Sequence, residues 1–291
     1  MARVRTRLLG SLVAATFLLT MMGTPPATAG ATCGGLTPTI TGTSASDRLV
    51  GRPGDDVIMG LGGSDQIRGR GGFDVICGGR GDDLLLGEAG DDLLFGESRS
   101  DRLRGGGGAD DLFGQSGGDL VSGGSGDDLF FGGSGRDVLR GGPGGGDRAN
   151  YTGPDAVRAD LAAGIVRTAD GNDRLRSIED LVGSRADDVL VGSDTNNDLS
   201  GVEGDDRLLG MGGRDALFGG GGSDIGRGGR GDDQLKGAAD DDRLFGEAGN
   251  DSLNGDAGDD LLDGGGGIDD LDGAQGTDTC LAGETLANCE A

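Results

Sequence analysis

From Gly42 to Arg140, and again from Gly183 to Leu281, the sequence divides every nine residues without an insertion or deletion, giving eleven units in each block. No other feature constrains the fold as strongly. A fixed period over so long a run asks each unit to take the same conformation and to bury its apolar residue against its neighbours. Counted from the leading glycine, position 1 is Gly in all 22 units, position 4 is Gly in 17 and position 6 is Asp in 21, with Asn197 the exception. Position 8 is Leu, Ile, Val or Phe in 20 units, and Gly226 and Cys280 are the departures. The consensus reads G-x-x-G-x-D-x-L-x. A biased tract without a fold keeps its composition but has no reason to hold an apolar residue in one phase.

The residue types dictate a local conformation. Glycine at positions 1 and 4 is expected to take positive φ and turn the chain sharply, with its carbonyls to one side, and aspartate closes the turn with a carboxylate. The next three residues form a short strand in which positions 7 and 9 face outward and position 8 inward. Two units make one coil, so residues 18 apart stack. In the first block Asp47, Asp65, Asp83, Asp101, Asp119 and Asp137 form one column and Asp56, Asp74, Asp92, Asp110 and Asp128 the other. The second block supplies Asp188, Asp206, Asp224, Asp242, Asp260 and Asp278, with Asp215, Asp233, Asp251 and Asp269 opposite. Coils stack about 4.8 Å apart, and two bare carboxylates at that distance repel by about 3 kcal/mol at an effective dielectric near 20. A cation between them removes the conflict. Calcium suits the gap because it takes six to eight oxygen ligands in irregular geometry, whereas magnesium requires a tight octahedron and zinc prefers nitrogen or sulfur.

These units resemble the hemolysin-type calcium-binding repeat, or RTX, family. The resemblance implies an all-β chain wound as a right-handed parallel β-roll, with calcium between adjacent same-side turns held by the position-6 aspartates and turn carbonyls. All 21 aspartates named above are therefore candidate metal ligands. Nine same-side gaps in each block set a ceiling of eighteen sites. Turns in which Ala45, Arg99, Ala186, Thr195 or Asp240 replaces the position-4 glycine are expected to bind less well. The calcium-free chain is expected to be largely disordered, metal binding being its folding step.

Composition supports a repetitive rather than a conventional interior: 68 Gly, 8 Phe, 1 Tyr and no Trp in 291 residues, with a formal charge of -26. No basic stripe offers itself to nucleic acid. Residues 1–29 place Arg3, Arg5 and Arg7 before an apolar run from Leu8 to Met22 and a small-residue site at Ala27 to Ala29. That is the layout of a cleavable secretory signal, and an extracellular protein is expected. A membrane anchor is the alternative, but the run is short and Pro25 and Pro26 follow it. Four cysteines in an exported chain read as two disulfides. Three pairings are open, and Cys33 with Cys77 and Cys280 with Cys289 is preferred because each pair would close one end of the repetitive region.

Residues 30–41 and 282–291 are read as caps, and 141–182 as a β-rich spacer joining the array at 42–140 to that at 183–281. The spacer is expected to form wider coils without calcium turns, with a separate minidomain as the alternative, from alternation at Val157, Ala159 and Leu161 and around Leu175, Ile178 and Leu181. Outward positions in the even-numbered units of the first array (Val57, Met59, Val75, Cys77, Leu93, Phe95, Asp111, Phe113, Leu129, Phe131) form a mostly apolar ladder. It is read either as a face for a partner or second copy or as β-forming residues partly covered by the N-terminal segment.

Catalysis is not expected. "GQSGG" at 114–118 matches a G-x-S-x-G nucleophile pattern, but Ser116 lies in a repeat turn and the chain has no histidine to activate it. Two readings follow: a secreted calcium-binding protein that folds on loading ions, or an extracellular structural or adhesive scaffold using the same solenoid.

Overall fold

The computed structural model describes residues 32–282 and 285–289; the secretory-signal reading at 1–29 lies outside them. Every element among the described residues is a strand, 29 in all. Helices long and apolar enough to cross a membrane are absent from the same residues. The strands form two sheets of 14 and 15 strands, and within each array successive strands alternate between the sheets. The chain thus winds as a parallel β-solenoid with one nonapeptide per half-coil.

Register follows from the period. Ile76 lies beside Leu94, Leu94 beside Leu112, and Leu112 beside Phe130, each partner 18 residues on. Position 8 from both sheets meets in the interior, where Ile58, Ile67, Ile76, Leu85, Leu94, Leu103, Leu112, Val121, Phe130 and Leu139 are buried as one narrow core. The two departures at this position have separate explanations. A methyl on Gly226 would lie 3.1 Å from Leu244 Cδ2 and 3.4 Å from Leu235 Cδ2, so leucines from the same and the opposite sheet already occupy the space. Cys280 is covalently tied to Cys289, with Cα atoms 5.6 Å apart, and Cys33 is tied to Cys77 at 5.7 Å. Both disulfides are the expected ones.

The spacer contains strands but departs from simple wide coils. In one sheet Arg148–Asn150 and Asp180–Val182 continue the parallel stack. In the other, Arg158–Asp160, Ile165–Arg167 and Asn172–Arg176 form an antiparallel meander whose outer strands pair in parallel with the two arrays. The reversal arises at Leu161–Gly164, where Gly164 takes φ 66 and donates its N–H to the Leu161 carbonyl. The chain then turns back at Thr168–Gly171. Ala149, Val157, Ala159, Val166, Leu175, Ile178 and Leu181 carry the same apolar core through the spacer into the second array.

The apolar ladder of the first array is largely covered. Cys33, Met59, Val75, Cys77, Phe95 and Phe113 form a second buried cluster, with Phe95 8% and Phe113 4% exposed. The Cys33–Cys77 bond and the strand Ile40–Thr41 hold the N-terminal segment over its near end. Phe95, Phe113 and Phe131 stack with centroids 4.9 and 4.4 Å apart. A cavity of about 350 Å³ remains between Gly34, these rings and the spacer residues Asn150 to Asp155. The ladder is therefore a satellite core rather than a free face, and it gives no support to self-association.

Candidate metal centre

Each repeat turn delivers its aspartate to the same place. Asp83 Oδ1 accepts the backbone N–H of Asp65 at 2.7 Å, and Asp101 Oδ1 that of Asp83 at 2.8 Å. Asp224 Oδ1 takes the N–H of Asp206 and Asp242 Oδ1 that of Asp224 in the same way. One oxygen of each carboxylate beyond the first coil is thus spent clamping coil to coil in this way. The other is buried without a hydrogen-bond partner in Asp65, Asp74, Asp83, Asp92, Asp101, Asp110, Asp119, Asp128 and Asp137, and in Asp206, Asp215, Asp224, Asp233, Asp242, Asp251, Asp260 and Asp278. A buried, unsatisfied carboxylate oxygen costs several kcal/mol. A column of them demands protons or cations.

The surroundings of Oδ2 define a cradle. At position 1 a methyl would collide with the aspartate of its own turn and with the position-1 carbonyl of the next coil, as at Gly60 with Asp65 Oδ2 and the Gly78 carbonyl. The glycine at position 1 is thus required by close approach of oxygens. The expectation of positive φ there is corrected: left-handed backbone falls at positions 2 and 4 instead, and position 2 adopts it even in Leu61, Arg70, Glu88, Glu97, Val202 and Met211. A second ladder went unread in the sequence. The position-5 side chain accepts the position-5 N–H of the next coil, as Asp55 does from Phe73 and Asp205 from Ser223, both at 2.8 Å. Its signal was the abundance of Asp, Asn and Ser at that position.

Three candidate ligands differ from the rest. Asp47 Oδ2 accepts the N–H and hydroxyl of Thr43, Asp56 Oδ2 the N–H of Arg52, and Asp188 Oδ2 the N–H of Ser184. Asn197 Oδ1 likewise accepts the N–H of Ser193. In these opening turns position 2 stays out of the left-handed region, so its N–H swings toward the side chain and satisfies it. Asp269 is buried in register with its column. Conversely Asp147, in the spacer and one residue out of register, has a buried Oδ2 of the repeat kind.

Among the described residues no three acidic, cysteine or histidine side chains converge on a point. Any ion must therefore be held by one or two carboxylates with backbone carbonyls. That all-oxygen, irregular donor set fits calcium and disfavours zinc. The residues in the turns match the profile of the RTX calcium-binding nonapeptide repeat (4 copies) in overlapping segments from 41 to 146 and from 178 to 280. This is well over half of the chain. The protein belongs to the RTX calcium-binding nonapeptide repeat family. None of the curated proteins compared with this RTX chain matches it.

Without ions, the RTX columns are acid-stabilised. Burial, reinforced by neighbouring carboxylates in the stack, pushes Asp101, Asp110 and Asp242 up to about 8 and Asp147, Asp206 and Asp215 up to about 7, although each accepts a backbone N–H. Unfolded aspartates titrate near 3.9. Between about pH 4 and 8 the folded, metal-free chain therefore binds protons the unfolded chain does not, and its stability falls as pH rises. In chelator, circular dichroism should show more β structure at about pH 5 than at about pH 8. More structure at the higher pH would contradict the carboxylate geometry. With calcium present, the midpoint should move to higher calcium as the solution is acidified, because protons and calcium compete for Oδ2.

Proposed function

We propose that the chain is a secreted calcium-binding protein whose β-roll is assembled by calcium loading into the gaps between same-side turns. The observation that carries this reading is the pair of columns of buried Oδ2 atoms, each set over a position-1 glycine beside a carbonyl of the next coil. The position-6 aspartates of the orphaned turns act as ligands. Asp47, Asp56 and Asp188 act as self-satisfied starters that align the first coil of a stack, so the number of ions falls below eighteen. Secretion is supported by the two disulfides, which suit an oxidising compartment. The reading contains no catalytic step; Ser116 donates its hydroxyl to the Glu97 carbonyl at 3.0 Å near the end of the strand Asp111–Gly117.

Isothermal calorimetry on the purified protein tests this. Calcium should bind at many sites per chain, and magnesium at the same concentration should not drive folding. Absence of calcium binding in the millimolar range would reject the reading.

A further inference from the structure

The family profile leaves residues 147–177 uncovered, yet the repeat chemistry continues there along one edge of the solenoid. Gly141 opens a turn one residue longer than the repeat, "GGPGGGD", ending at Asp147. Despite the extra residue, Asp147 Oδ1 accepts the N–H of Asp128 at 2.9 Å, as in a true repeat. Its Oδ2 has no partner, and the residue is 0% exposed. The next turn on this edge is short, "SIE" at 177–179, with Ser177 in the left-handed region at φ 49. A methyl on Gly141 would collide with both Asp147 Oδ2 and the Ser177 carbonyl, so Ser177 stands where the repeats place the position-1 carbonyl of the following coil. Glu179 replaces the following aspartate: its Oε2 accepts the N–H of Asp147 at 3.2 Å. The N–H groups of Glu179 and Asp180 in turn bind the Asp147 carbonyl at 3.0 and 2.9 Å.

We propose that Asp147 Oδ2, the Ser177 carbonyl and the Glu179 carboxylate hold a calcium ion outside the repeats, which docks the spacer onto the first array. The inference rests on the calcium reading of the arrays and extends it to a site that the nonapeptide pattern does not contain. The donor set is all oxygen, with two carboxylates and room for water in the coordination shell, which calcium accepts. The stack stops one coil later for a visible reason. There Asn197 presents an amide, whose Nδ2 donates to the Glu179 carbonyl at 2.7 Å and whose Oδ1 is already taken by Ser193. On the opposite edge the buried Asp173 continues the clamp, its Oδ1 accepting the N–H of Asp137 at 2.8 Å, and the column is broken beyond it at Val157, which supplies only its N–H to Asp188 Oδ1. Among the described spacer carboxylates, the unsatisfied buried oxygen therefore falls on one edge only, at Asp147.

The test uses D147N, in which asparagine keeps the oxygen that accepts the Asp128 N–H and replaces only Oδ2 with an amide. Native mass spectrometry at saturating calcium should find one ion fewer on D147N than on the natural protein. Exchanging the exposed spacer residue Asp155 for asparagine should leave the count unchanged. Tyr151 is the single tyrosine in a chain without tryptophan, and its N–H binds the Val182 carbonyl across the two spacer strands. Its emission thus reports on the spacer and its junction with the first array. The calcium midpoint of that signal should rise about tenfold in D147N, since ligand charge count sets affinity at such sites, while the far-UV transition of the arrays moves little. If D147N fails to fold, E179Q provides the same readouts with Asp147 intact, and a matching rise in the Tyr151 midpoint supports the site. An ion count and Tyr151 midpoint equal to those of the natural protein, in D147N or in E179Q, would overturn the junction site while leaving the array reading standing. A natural protein that takes up no calcium at all would instead remove the reading on which it rests.

Discussion

In excess chelator near pH 8, the protein should lose most of its far-UV β signal, and millimolar calcium should restore it in a cooperative transition. The cause is electrostatic. Most coils contribute two buried carboxylates, and same-column neighbours lie about one strand spacing apart, where bare charges repel by about 3 kcal/mol at moderate dielectric. Desolvation adds several kcal/mol for each group. Against this stands a core only one side chain wide, made of position-8 residues such as Leu85, Leu94 and Leu103. A site loaded at a hundred times its dissociation constant contributes about 2.7 kcal/mol to the folded state. A handful of such sites therefore matches the whole stability of an ordinary domain, about 5–15 kcal/mol. Magnesium should be a poor substitute. A compact protein whose spectrum is the same with and without chelator would show that the columns are held together by something other than ions.

The second large effect concerns position 1. Substituting Gly105 with alanine should destabilise the calcium-loaded protein by about 3 kcal/mol or more, because the methyl would overlap Oδ2, Cγ and Cβ of Asp110, all within 2.8 Å of it. The same change should weaken ion binding at that gap, since the methyl occupies the cradle. Gly107, two residues on, is the control. A methyl there meets nothing nearer than Ser125 Oγ at 3.3 Å and requires no left-handed backbone, so Gly107→Ala should cost less than about 1 kcal/mol. Thermal unfolding of both variants in saturating calcium separates the two cases. Equal stability of the two would mean that position 1 is not sterically enclosed, and the cradle would have to be abandoned.

These two expectations mark where reading the residues was enough and where it was not. The steric demand at Gly105 was invisible in the consensus: an unvarying glycine looks the same whether it serves a left-handed turn or a crowded oxygen cluster. Position 2 shows the reverse. Glu88 and Met211 carry no sign of the left-handed conformation they adopt, because the adjoining coils impose it. That imposed conformation decides chemistry. Where position 2 resists it, at Thr43, Arg52 and Ser184, the N–H satisfies the aspartate; where it yields, Oδ2 is left for a cation.

The amino-acid sequence by itself determined the solenoid, the inward position 8 and the two aspartate columns. All follow from interactions between residues 18 apart, and a strict period writes these into the chain many times over. Tertiary structure alone decided which oxygens remain unsatisfied, that the apolar ladder is covered, and that Asp147 and Glu179 meet in a spacer with no repeat. Those outcomes depend on single contacts between coils and between distant segments, and a contact made once leaves no periodic trace.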